Sequence, residues 1–428
     1  MTQTFDLIVI GGGPAGFFAA LRFAALAAPT HAPRVLILEK SEQVLGKLLL
    51  SGGGRCNLSH NINDPQELIR YYPRGGKALL NTFYRFGPPQ TLQWFAERGL
   101  RCYADDTGCY FPTSNSSQSV ADVLTGEAER LGVRVWTQAG AREITRELAQ
   151  DETTGHWQVR ISNGSEVSAP LLLIAAGGSR AMLKLLREVG VAIEAPIPSL
   201  FAFQLAESEF IPLAGIVVED TQTSLPGTRL KQRGALLFTH RGISGPAVIN
   251  LSAWAARELH QSQYQHPITI DFLPGHASLE ATDSQLLAQK QQFPTRQVNS
   301  RSPFEALPAR LWEVVCTRAG LPETLRWADF SKAQLARLRT ELRAGLVHLT
   351  ARDTHQQEYV TCGGVALHGV NLHTFESKTR PGLFFAGEVL DVDGLTGGYN
   401  LQNCWSTGWV AATSMAQCFL TTEGENHE

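Results

Sequence analysis

Residues 5–26 read FDLIVIGGGPAGFFAALRFAAL, and their order predicts a strand, a glycine-rich turn and a helix. The first six residues form a short β-prone run of the kind buried in a parallel sheet. Gly11, Gly13 and Gly16 fit the G-x-G-x-x-G pattern, and Pro14 suits the first helical turn, where its missing N–H costs nothing. Such glycines let backbone N–H groups approach a pyrophosphate at the positive end of the helix. The segment predicts a βα unit that binds a dinucleotide, whereas a packing loop is the structural alternative.

A second apolar run, Arg34 to Leu38, ends in Glu39 about twenty residues after the last glycine. A carboxylate at that point can accept hydrogen bonds from the adenosine ribose hydroxyls, and its charge would repel a 2′-phosphate. NAD and FAD both contain ADP, so these residues leave the choice between the two cofactors open.

The composition restricts the class of protein. The chain has 428 residues, which suggests two or three domains, and its 43% apolar and 18% charged residues indicate a folded core. The net charge of −3 argues against a protein that binds nucleic acid through positive charge. The sequence also lacks a block of basic residues of the kind that binds a membrane surface. We therefore expect a small-molecule substrate, with neither a nucleic-acid nor a membrane partner.

The seven cysteines are scattered and form no C-x-x-C pair, so we expect neither a disulfide framework nor a metal site. The N-terminus lacks a basic segment before its apolar run, and glycines and Arg22 interrupt the apolar stretch from Leu7 to Ala28. These features predict a soluble, cytoplasmic protein of undetermined oligomeric state.

The pattern of apolar residues changes along the chain. Leu171 to Gly178 and Gly382 to Gly387 read as further buried strands that end in glycines. Between them, Ala192 to Pro274 alternates like half-exposed strands, and Leu279 to Leu346 has helical spacing. We predict a dinucleotide domain split into residues 1–192 and 348–428, the latter including a return to the edge of the inserted domain. The insertions are a β-rich domain at 193–275 and a helical segment at 276–347.

A final helix is predicted after Leu395–Asn400, with one buried face that includes Leu401, Trp405 and Met415. Its glycine-rich start contains no Lys or Arg, so backbone N–H groups there could stabilise negative charge on an electron-rich ring.

Two further segments favour FAD over NAD. The loop from Gly46 to Asn57 has three successive glycines before Arg55, and its open backbone can lie against a flat ring or a phosphate. A mobile surface turn is the alternative. Glu388 and Asp391 follow a late strand, where an acid can hold a polyol chain, and FAD has a ribityl chain whereas NAD does not.

Three long motifs carry a resemblance to a known family. SGGGRCN (51–57), FTHRGISGPAV (238–248) and PGLFFAGEVLDVDGLTGGYNLQ (381–402) closely resemble the BaiN/RdsA, or YhiN-type, family of FAD-dependent oxidoreductases. The resemblance runs from about residue 5 to residue 420. It implies an α/β fold: a glutathione-reductase-like, Rossmann-type FAD-binding domain with an inserted β-barrel domain and a small helical insert.

The resemblance also implies a path for the cofactor. Glu39 would hold the adenosine ribose, the backbone at Ala141 would meet the adenine at the end of a strand region from Val133 to Ile144, and Glu388 would reach the ribityl chain. Backbone N–H groups at the start of the last helix would face the flavin pyrimidine edge. The full set of expected cofactor-binding residues is Gly11, Gly13, Pro14, Ala15, Gly16, Glu39, Lys40, Lys47, Leu48, Gly53, Arg55, Cys56, Asn57, Ala141, Ala175, Ala176, Gly177, Gly387, Glu388, Asp391, Gly398, Asn400 and Leu401.

The chain departs from the family after Gly178. Members follow the equivalent glycine pair with a Gly- and Thr-rich loop, whereas here Ser179–Leu183 enters a helical pattern directly. Any substrate contacts that the family makes with that loop do not carry over.

The sequence leaves the catalytic residue unassigned. Cys56 could be a redox thiol or an attachment point for the flavin, although a small space-filling residue is the more frequent reason for such a cysteine. His240 could act as an acid or base, but a structural histidine is the stronger interpretation. Tyr110–Pro112 could line a pocket or belong to the core, and His60 reads as a polar turn residue.

The sequence excludes some flavoenzyme subclasses. Cys56 has no neighbouring cysteine before Cys102, which argues against a disulfide reductase, and Gly387–Leu390 lacks the Gly-Asp-Ala-like motif of aromatic hydroxylases. No second G-x-G-x-x-G follows residue 16. From the resemblance we expect an FAD-dependent oxidoreductase that reduces an activated C=C bond with NAD(P)H, steroid-type dienones being one suggested substrate class. An amine oxidase resembling aminoacetone oxidases and a non-catalytic FAD-binding scaffold are the alternatives.

Overall fold

The structure is a computed structural model that describes residues 2–29, 32–148, 155–353 and 360–425. The chain divides into two compact units. One consists of Met1–Pro196 with Val360–Glu428, and the other of Ile197–Tyr359.

The helices of the described residues are α1 (Pro14–Ala27), α2 (Gly46–Leu50), α3 (Pro65–Leu68), α4 (Gly76–Arg85), α5 (Pro88–Ala96), α6 (Ser117–Arg130), α7 (Arg180–Glu188), α8 (Pro246–Trp254), α9 (Ala256–Gln261), α10 (Leu279–Gln292), α11 (Ala309–Arg318), α12 (Lys332–Ala344) and α13 (Tyr399–Glu425). The strands are β1 (Gln3–Thr4), β2 (Leu7–Ile10), β3 (Val35–Leu38), β4 (Ser59–His60), β5 (Cys102–Ala104), β6 (Cys109–Pro112), β7 (Arg134–Trp136), β8 (Ala141–Leu148), β9 (Gly155–Ile161), β10 (Glu166–Ala169), β11 (Leu171–Ile174), β12 (Ile193–Ser199), β13 (Phe203–Leu205), β14 (Val217–Ser224), β15 (Lys231–Phe238), β16 (Gly242–Ser244), β17 (His266–Asp271), β18 (Gly345–Arg352), β19 (Val360–Val365), β20 (Val370–Asn371), β21 (Glu376–Ser377) and β22 (Leu383–Phe385).

The main sheet of the first unit has the strand order β20-β21-β22-β11-β2-β3-β7. The pairs β22–β11, β11–β2, β2–β3 and β3–β7 are parallel. Every residue of β2, β3 and β11 is buried, which explains why these strands are continuous apolar runs rather than alternating ones. The Rossmann-type fold expected from the sequence is confirmed.

Helix α1 follows β2 directly and packs against α13. Gly408 lies where α13 crosses α1, because a Cβ atom on Gly408 would come within 2.9 Å of the Ala15 carbonyl oxygen. Phe18 of α1 contacts the rings of Trp405 and Trp409 on α13. The N-terminus of α1 is thereby fixed above the ends of β2 and β11.

The prediction of a single buried face on α13 was wrong. Trp405 and Met415 are buried as expected, but Gln402, Ser406 and Thr407 on other faces are also fully buried. Their polar groups are satisfied by partners within the helix and by partners distant in sequence, such as Ser59 for Gln402 and the Phe86 carbonyl for Ser406. Gln402 hydrogen-bonds Ser406, and the Thr407 hydroxyl donates to the Asn403 carbonyl. The helix is therefore central to the first unit rather than a surface helix.

Smaller sheets complete the first unit. β1-β10-β9-β8 forms a four-stranded sheet, β4-β6-β5 a three-stranded sheet, and β12-β19 a pair. Ala141 begins β8 rather than ending a strand region, because β7 stops at Trp136. The β4-β6-β5 sheet brings residues 59 and 60 beside Cys109 and Tyr110.

The second unit contains a closed barrel with the order β13-β16-β15-β14-β17-β18. Its core of buried side chains includes residues of the strands and of helices α10, α11 and α12, such as Phe238, Leu286 and Trp312. The stretch from Ala192 to Pro274 contains helices α8 and α9 as well as strands, so the expectation of strands throughout was wrong there. Pro246 begins α8, and Ala247, Val248 and Leu251 are buried.

Among the described residues, none of the helices combines the length and apolar character needed to cross a bilayer.

Candidate functional site

Two adjoining cavities lie at the carboxyl ends of β2, β3 and β11. The first has a volume of about 210 Å³ and the second about 290 Å³. Both are lined by Gly11, Glu39, Lys40 and Ala176, so they are neighbours on the two sides of these residues, and we call the two cavities together the groove. The groove lies where open α/β sheets bind their ligands.

The three glycines of the G-x-G-x-x-G pattern, two before α1 and one in its first turn, differ in what they face. Gly11 has a φ of +119°, and a Cβ atom there would overlap the Ala175 carbonyl oxygen. A Cβ atom on Gly16 would overlap the Gly11 oxygen, so both glycines serve close packing. Gly13 is different, since a Cβ atom on it would meet no atom within 4 Å although the residue lines the first cavity. The space beside Gly13, at the N-terminus of α1, fits an anion such as a pyrophosphate.

Glu39 is fixed at the junction of the two cavities. Its Oε2 atom accepts a hydrogen bond from the Gly12 N–H at 2.9 Å, and its Oε1 atom accepts one from the Ser41 N–H at 2.8 Å. A carboxylate has about four acceptor positions, so two remain for ligand hydroxyl groups. This arrangement suits a ribose diol.

The lining of the first cavity also includes an ion pair between elements distant in sequence. Lys47 Nζ donates to Glu388 Oε2 at 2.8 Å, and the Thr361 N–H donates to Glu388 Oε1 at 3.1 Å. Burial lowers the pKa of Lys47, but the Glu388 carboxylate more than offsets this and holds the pKa above its ordinary value. Lys47 is therefore charged at neutral pH. It stands at the cavity wall beside Gly177.

The loop that follows α2 is built on left-handed backbone. Gly52, Gly53 and Gly54 have φ values of 57°, 67° and 85°. Cβ atoms on Gly53 and Gly54 would meet nothing within 4 Å, so this face of the loop is open. The Arg55 guanidinium lies 4.1 Å from the centre of the Phe111 ring. The open glycine face is consistent with close approach of a flat ligand.

Asn57 ties this loop to the start of α13. With its amide in the orientation that satisfies both neighbours, the oxygen accepts from the Gly398 N–H at 3.2 Å and the nitrogen donates to the Ser59 carbonyl at 3.1 Å. The Gly398 N–H that was expected to face a flavin thus faces Asn57. By the general geometry of helices, the Asn400 and Leu401 N–H groups lack intrahelical acceptors.

The positions of the expected residues fall into two groups. Those lining the groove are Gly11, Gly13, Pro14, Ala15, Glu39, Lys40, Lys47, Ala141, Ala175, Ala176, Gly177 and Glu388. Those lining neither cavity are Gly16, Leu48, Gly53, Arg55, Cys56, Asn57, Gly387, Asp391, Gly398, Asn400 and Leu401. In the second group, Asp391 accepts from the Gly363 N–H, and the Asn400 amide hydrogen-bonds both backbone groups of Gly394.

The residues considered for catalysis, Cys56 and His240, do not lie in the groove. Cys56 is fully buried, and burial raises the pKa of its thiol to about 12, which disfavours a reactive thiolate at neutral pH. His240 is exposed in the turn between β15 and β16 of the second unit. Phe111 is buried. The structure describes all seven cysteines, and each is a free thiol. No cluster of three or more potential metal ligands occurs in the described residues.

Sequence reasoning missed several residues of this region. Gly12, Ser41, Gln43 and Cys404 also line the first cavity. Ser179 and Met182 line the second, where Ser179 is the N-cap of α7 and its side chain accepts from the Met182 N–H. It also missed a buried ion pair in which Arg74 contacts both oxygens of Asp393, whose side chain is fully buried.

His60 is the most informative omission. It is not a turn residue but part of β4, and its ring stacks on Tyr399, with Tyr71 nearby. Two features of the sequence could have indicated a role for His60: it lies three residues after Asn57, and an aromatic residue, Tyr399, follows Gly397–Gly398.

Comparison with known proteins identifies a family model and relatives that match almost the whole chain. The family model described as "HI0933-like protein Rossmann domain" matches residues 5–414. The chain is 30% identical to the "Ribosomal RNA dihydrouridine synthase" of Escherichia coli, covering 96% of this chain and 98% of that protein. It is 29% identical to the "3-dehydro-bile acid delta(4,6)-reductase" of Clostridium scindens, again covering 96% and 98%.

The chain also resembles a solved structure, the 3-ketosteroid delta1-dehydrogenase of Sterolibacterium denitrificans, with a TM-score of 0.53 and 13% identity. The match covers 97% of this chain and all of that one. At this identity the likeness shows the fold alone.

Proposed function

The chain belongs to the HI0933-like family, a family of FAD-dependent oxidoreductases, and on that premise we propose that it reduces a C=C bond conjugated to a carbonyl group, with NAD(P)H as the donor. The family resemblance seen in the three sequence motifs is thereby confirmed. The donor, the substrate and the residues that hold the cofactor are parts of the proposal.

The names of the two relatives support a common reaction type. Dihydrouridine is uridine with its C5=C6 bond reduced, and that bond is conjugated to the C4 carbonyl. A delta(4,6)-reductase of a 3-dehydro-bile acid acts on double bonds conjugated to a 3-keto group. Hydride addition to the β-carbon of an enone-like system, followed by protonation, describes both. The relatives differ in the molecule that carries the ring, so our expectation against nucleic acid remains a prediction.

The single observation that best supports FAD binding is the pair of neighbouring cavities with open space beside Gly13. In our proposal the N-terminus of α1 binds the pyrophosphate, and Glu39 binds the adenosine ribose with its two remaining acceptor positions. The adenine occupies the second cavity, beside Ala141 and Met182. Lys47 and Glu388 contact the ribityl end.

When bound, the flavin would supply the hydride chemistry, and the protein positions the reacting groups. The loop at Gly53–Gly54 offers an open backbone face, and the Asn400 and Leu401 N–H groups at the start of α13 offer donors to an electron-rich ring. Asn57 holds these two segments together through Gly398 and Ser59.

An oxidase remains the second candidate because the chain has no second dinucleotide fingerprint after residue 16. In that reaction electrons would flow from a small amine to oxygen. The reductase is favoured because both named relatives are described by reductions.

Product analysis tests the proposal. Purified protein reconstituted with FAD is incubated without oxygen with NADH or NADPH and a conjugated enone, and the product is examined by mass spectrometry. We expect a gain of two mass units that requires both FAD and the nicotinamide. A parallel incubation in air with small amines measures peroxide. Peroxide release without any enone reduction would replace the reductase by the oxidase.

A further inference from the structure

Three aromatic rings, those of His60, Tyr71 and Tyr399, lie nearly parallel close to the loop that ends at Asn57, which we call the glycine loop. The His60 and Tyr399 ring centres are 5.0 Å apart with a 16° angle between planes, and those of Tyr71 and Tyr399 are 4.8 Å apart at 12°. The His60 and Tyr71 centres are 6.2 Å apart at 23°. Tyr399 is buried, whereas His60 and Tyr71 are partly exposed.

The distances show how the rings are layered. If Tyr399 lay between the other two, their centres would be at least about 7 Å apart, twice the contact distance of stacked carbon atoms. The observed separation of His60 and Tyr71 is shorter than this. These two rings therefore lie side by side in one layer, and Tyr399 backs that layer. We call the His60–Tyr71 layer the ring platform.

The backing ring is held firmly. The Tyr72 hydroxyl donates to the Tyr399 carbonyl at 2.7 Å in a buried hydrogen bond. A Cβ atom on Gly397 would come within 2.9 Å of the Tyr399 ring and 3.5 Å of His60, so only glycine leaves room for this packing. Tyr399 therefore cannot shift easily, and the platform is pre-formed.

The platform adjoins the residues proposed to face the flavin. His60 follows Ser59 in β4, and the Ser59 carbonyl accepts from Asn57. Tyr399 directly follows Gly398, whose N–H donates to the same Asn57 side chain. One short network thus connects the glycine loop, the start of α13 and the platform.

The protonation state of His60 suits stacking, because a neutral imidazole is a flat aromatic ring without a net charge. Burial lowers its pKa, and the Thr107 backbone and the charges of Asp105 and Glu67 act in the opposite direction without restoring the ordinary value. The imidazole is therefore neutral at pH 7. Its Nδ1 atom is buried and has no hydrogen-bond partner within the part of the chain that the structure describes.

We propose that the ring platform of His60 and Tyr71 binds the flat, carbonyl-conjugated ring of the substrate by stacking. This assignment rests on the proposed reduction of a conjugated C=C bond at the same site. A ring that has lost the double bond is puckered and stacks poorly, so the platform distinguishes substrate from product. The ring can belong to a small dienone or to a uracil base, and these sources share the recognised chemistry.

Binding to the oxidised holoenzyme tests the platform without turnover. The probes are uridine 5′-monophosphate, a uridine-containing RNA oligonucleotide and a steroid 4,6-dien-3-one, each paired with its saturated counterpart, and binding is followed by equilibrium dialysis. Tyr71→Leu and His60→Leu should each weaken binding of the preferred unsaturated probe about 5- to 100-fold. Tyr71→Phe should bind within about threefold of wild type. Tyr84→Leu, at an exposed tyrosine of α4, is the matched control and should not change binding.

The outcomes separate the platform from the reaction. The unsaturated probe that binds best identifies the source of the ring, and its saturated counterpart should bind more weakly to the wild type. Unchanged binding in both leucine variants would overturn the platform, as would equal affinity for the saturated and unsaturated forms or no saturable binding at all. If the platform binds the ring but product analysis shows no reduction, the proposed function fails while the binding site stands. Circular dichroism confirms that each variant is folded, and the two positions test the platform independently.

Discussion

Gly13→Ala separates cofactor binding from folding. Gly13 has φ −91° and ψ −177°, which alanine adopts without strain, and an added Cβ atom would touch no atom within 4 Å. The same Cβ atom would enter the first cavity at the N-terminus of α1, where we place the pyrophosphate. It would push a phosphate away from at least one backbone N–H group.

The size of the effect follows from that lost contact. A hydrogen bond to a charged group contributes about 1.5–3 kcal/mol, which corresponds to about 10- to 150-fold weaker FAD binding. The stability of the apoprotein should change by less than about 1 kcal/mol. The reason is that the entropic gain of Gly→Ala and the poorer N-cap of alanine are similar in size and opposite in sign.

The assay is a titration of apoprotein with FAD, followed by quenching of flavin fluorescence, together with urea unfolding of the apoprotein. Gly126→Ala is the control, because this exposed glycine inside α6 also has open space around it but lies outside both cavities. It should add about 0.5–1 kcal/mol of stability and leave FAD affinity unchanged. If Gly13→Ala bound FAD as tightly as wild type, the pyrophosphate would not lie at this glycine and the reasoning would be refuted.

Three further outcomes are expected from urea unfolding. Gly11→Ala, unlike Gly13→Ala, should destabilise the apoprotein by more than about 2 kcal/mol, because it combines a φ of +119° with overlap of a carbonyl oxygen; equal stability of the two variants would contradict this. Arg74→Met should cost about 3–5 kcal/mol because it removes the charged partner of the buried Asp393 carboxylate, and adding Asp393→Asn should recover part of the loss; a loss below 1 kcal/mol would show that the pair is not buried in solution. His60 faces the Asp105 and Glu67 charges and the Tyr71 and Tyr399 rings, yet its pKa is lowered by burial. The unfolded chain therefore binds this proton more readily than the folded chain, so the free energy of unfolding should fall as the pH is lowered from 7 to 5. His60→Phe should reduce this fall, and an identical pH dependence in the variant would contradict the lowered pKa.

The Rossmann-type strand, turn and helix at the start of the chain were predictable from the sequence because their signals are local. Gly11, Gly13 and Gly16 lie within six residues of one another, and the buried strand before them reads as a continuous apolar run. The place of Glu39 after β3 was also predictable, because the spacing from the glycine turn to the acid is set by one βαβ unit, whereas its role toward a ribose stays a prediction. The barrel needed the family resemblance, since closing β13 against β18 joins strands more than 130 residues apart.

Other features depend on contacts that no spacing reveals. The polar residues of α13 looked exposed because they interrupt an apolar pattern, but Gln402 and Ser59 satisfy each other across 343 residues. His60 looked like a turn residue because its stacking partners, Tyr71 and Tyr399, are brought to it only by the fold. Likewise, Asp393 gave no sign of burial until Arg74 was placed against it.

The most direct test of the central claim follows the flavin absorbance of the holoenzyme without oxygen. NADH and NADPH are added separately, and a conjugated enone is added after the spectrum has settled. We expect one nicotinamide to bleach the flavin rapidly and the enone to restore its colour while oxygen is still absent. Bleaching by neither nicotinamide, or recovery of colour only when air is admitted, would contradict a reductase that transfers hydride from NAD(P)H to a conjugated double bond.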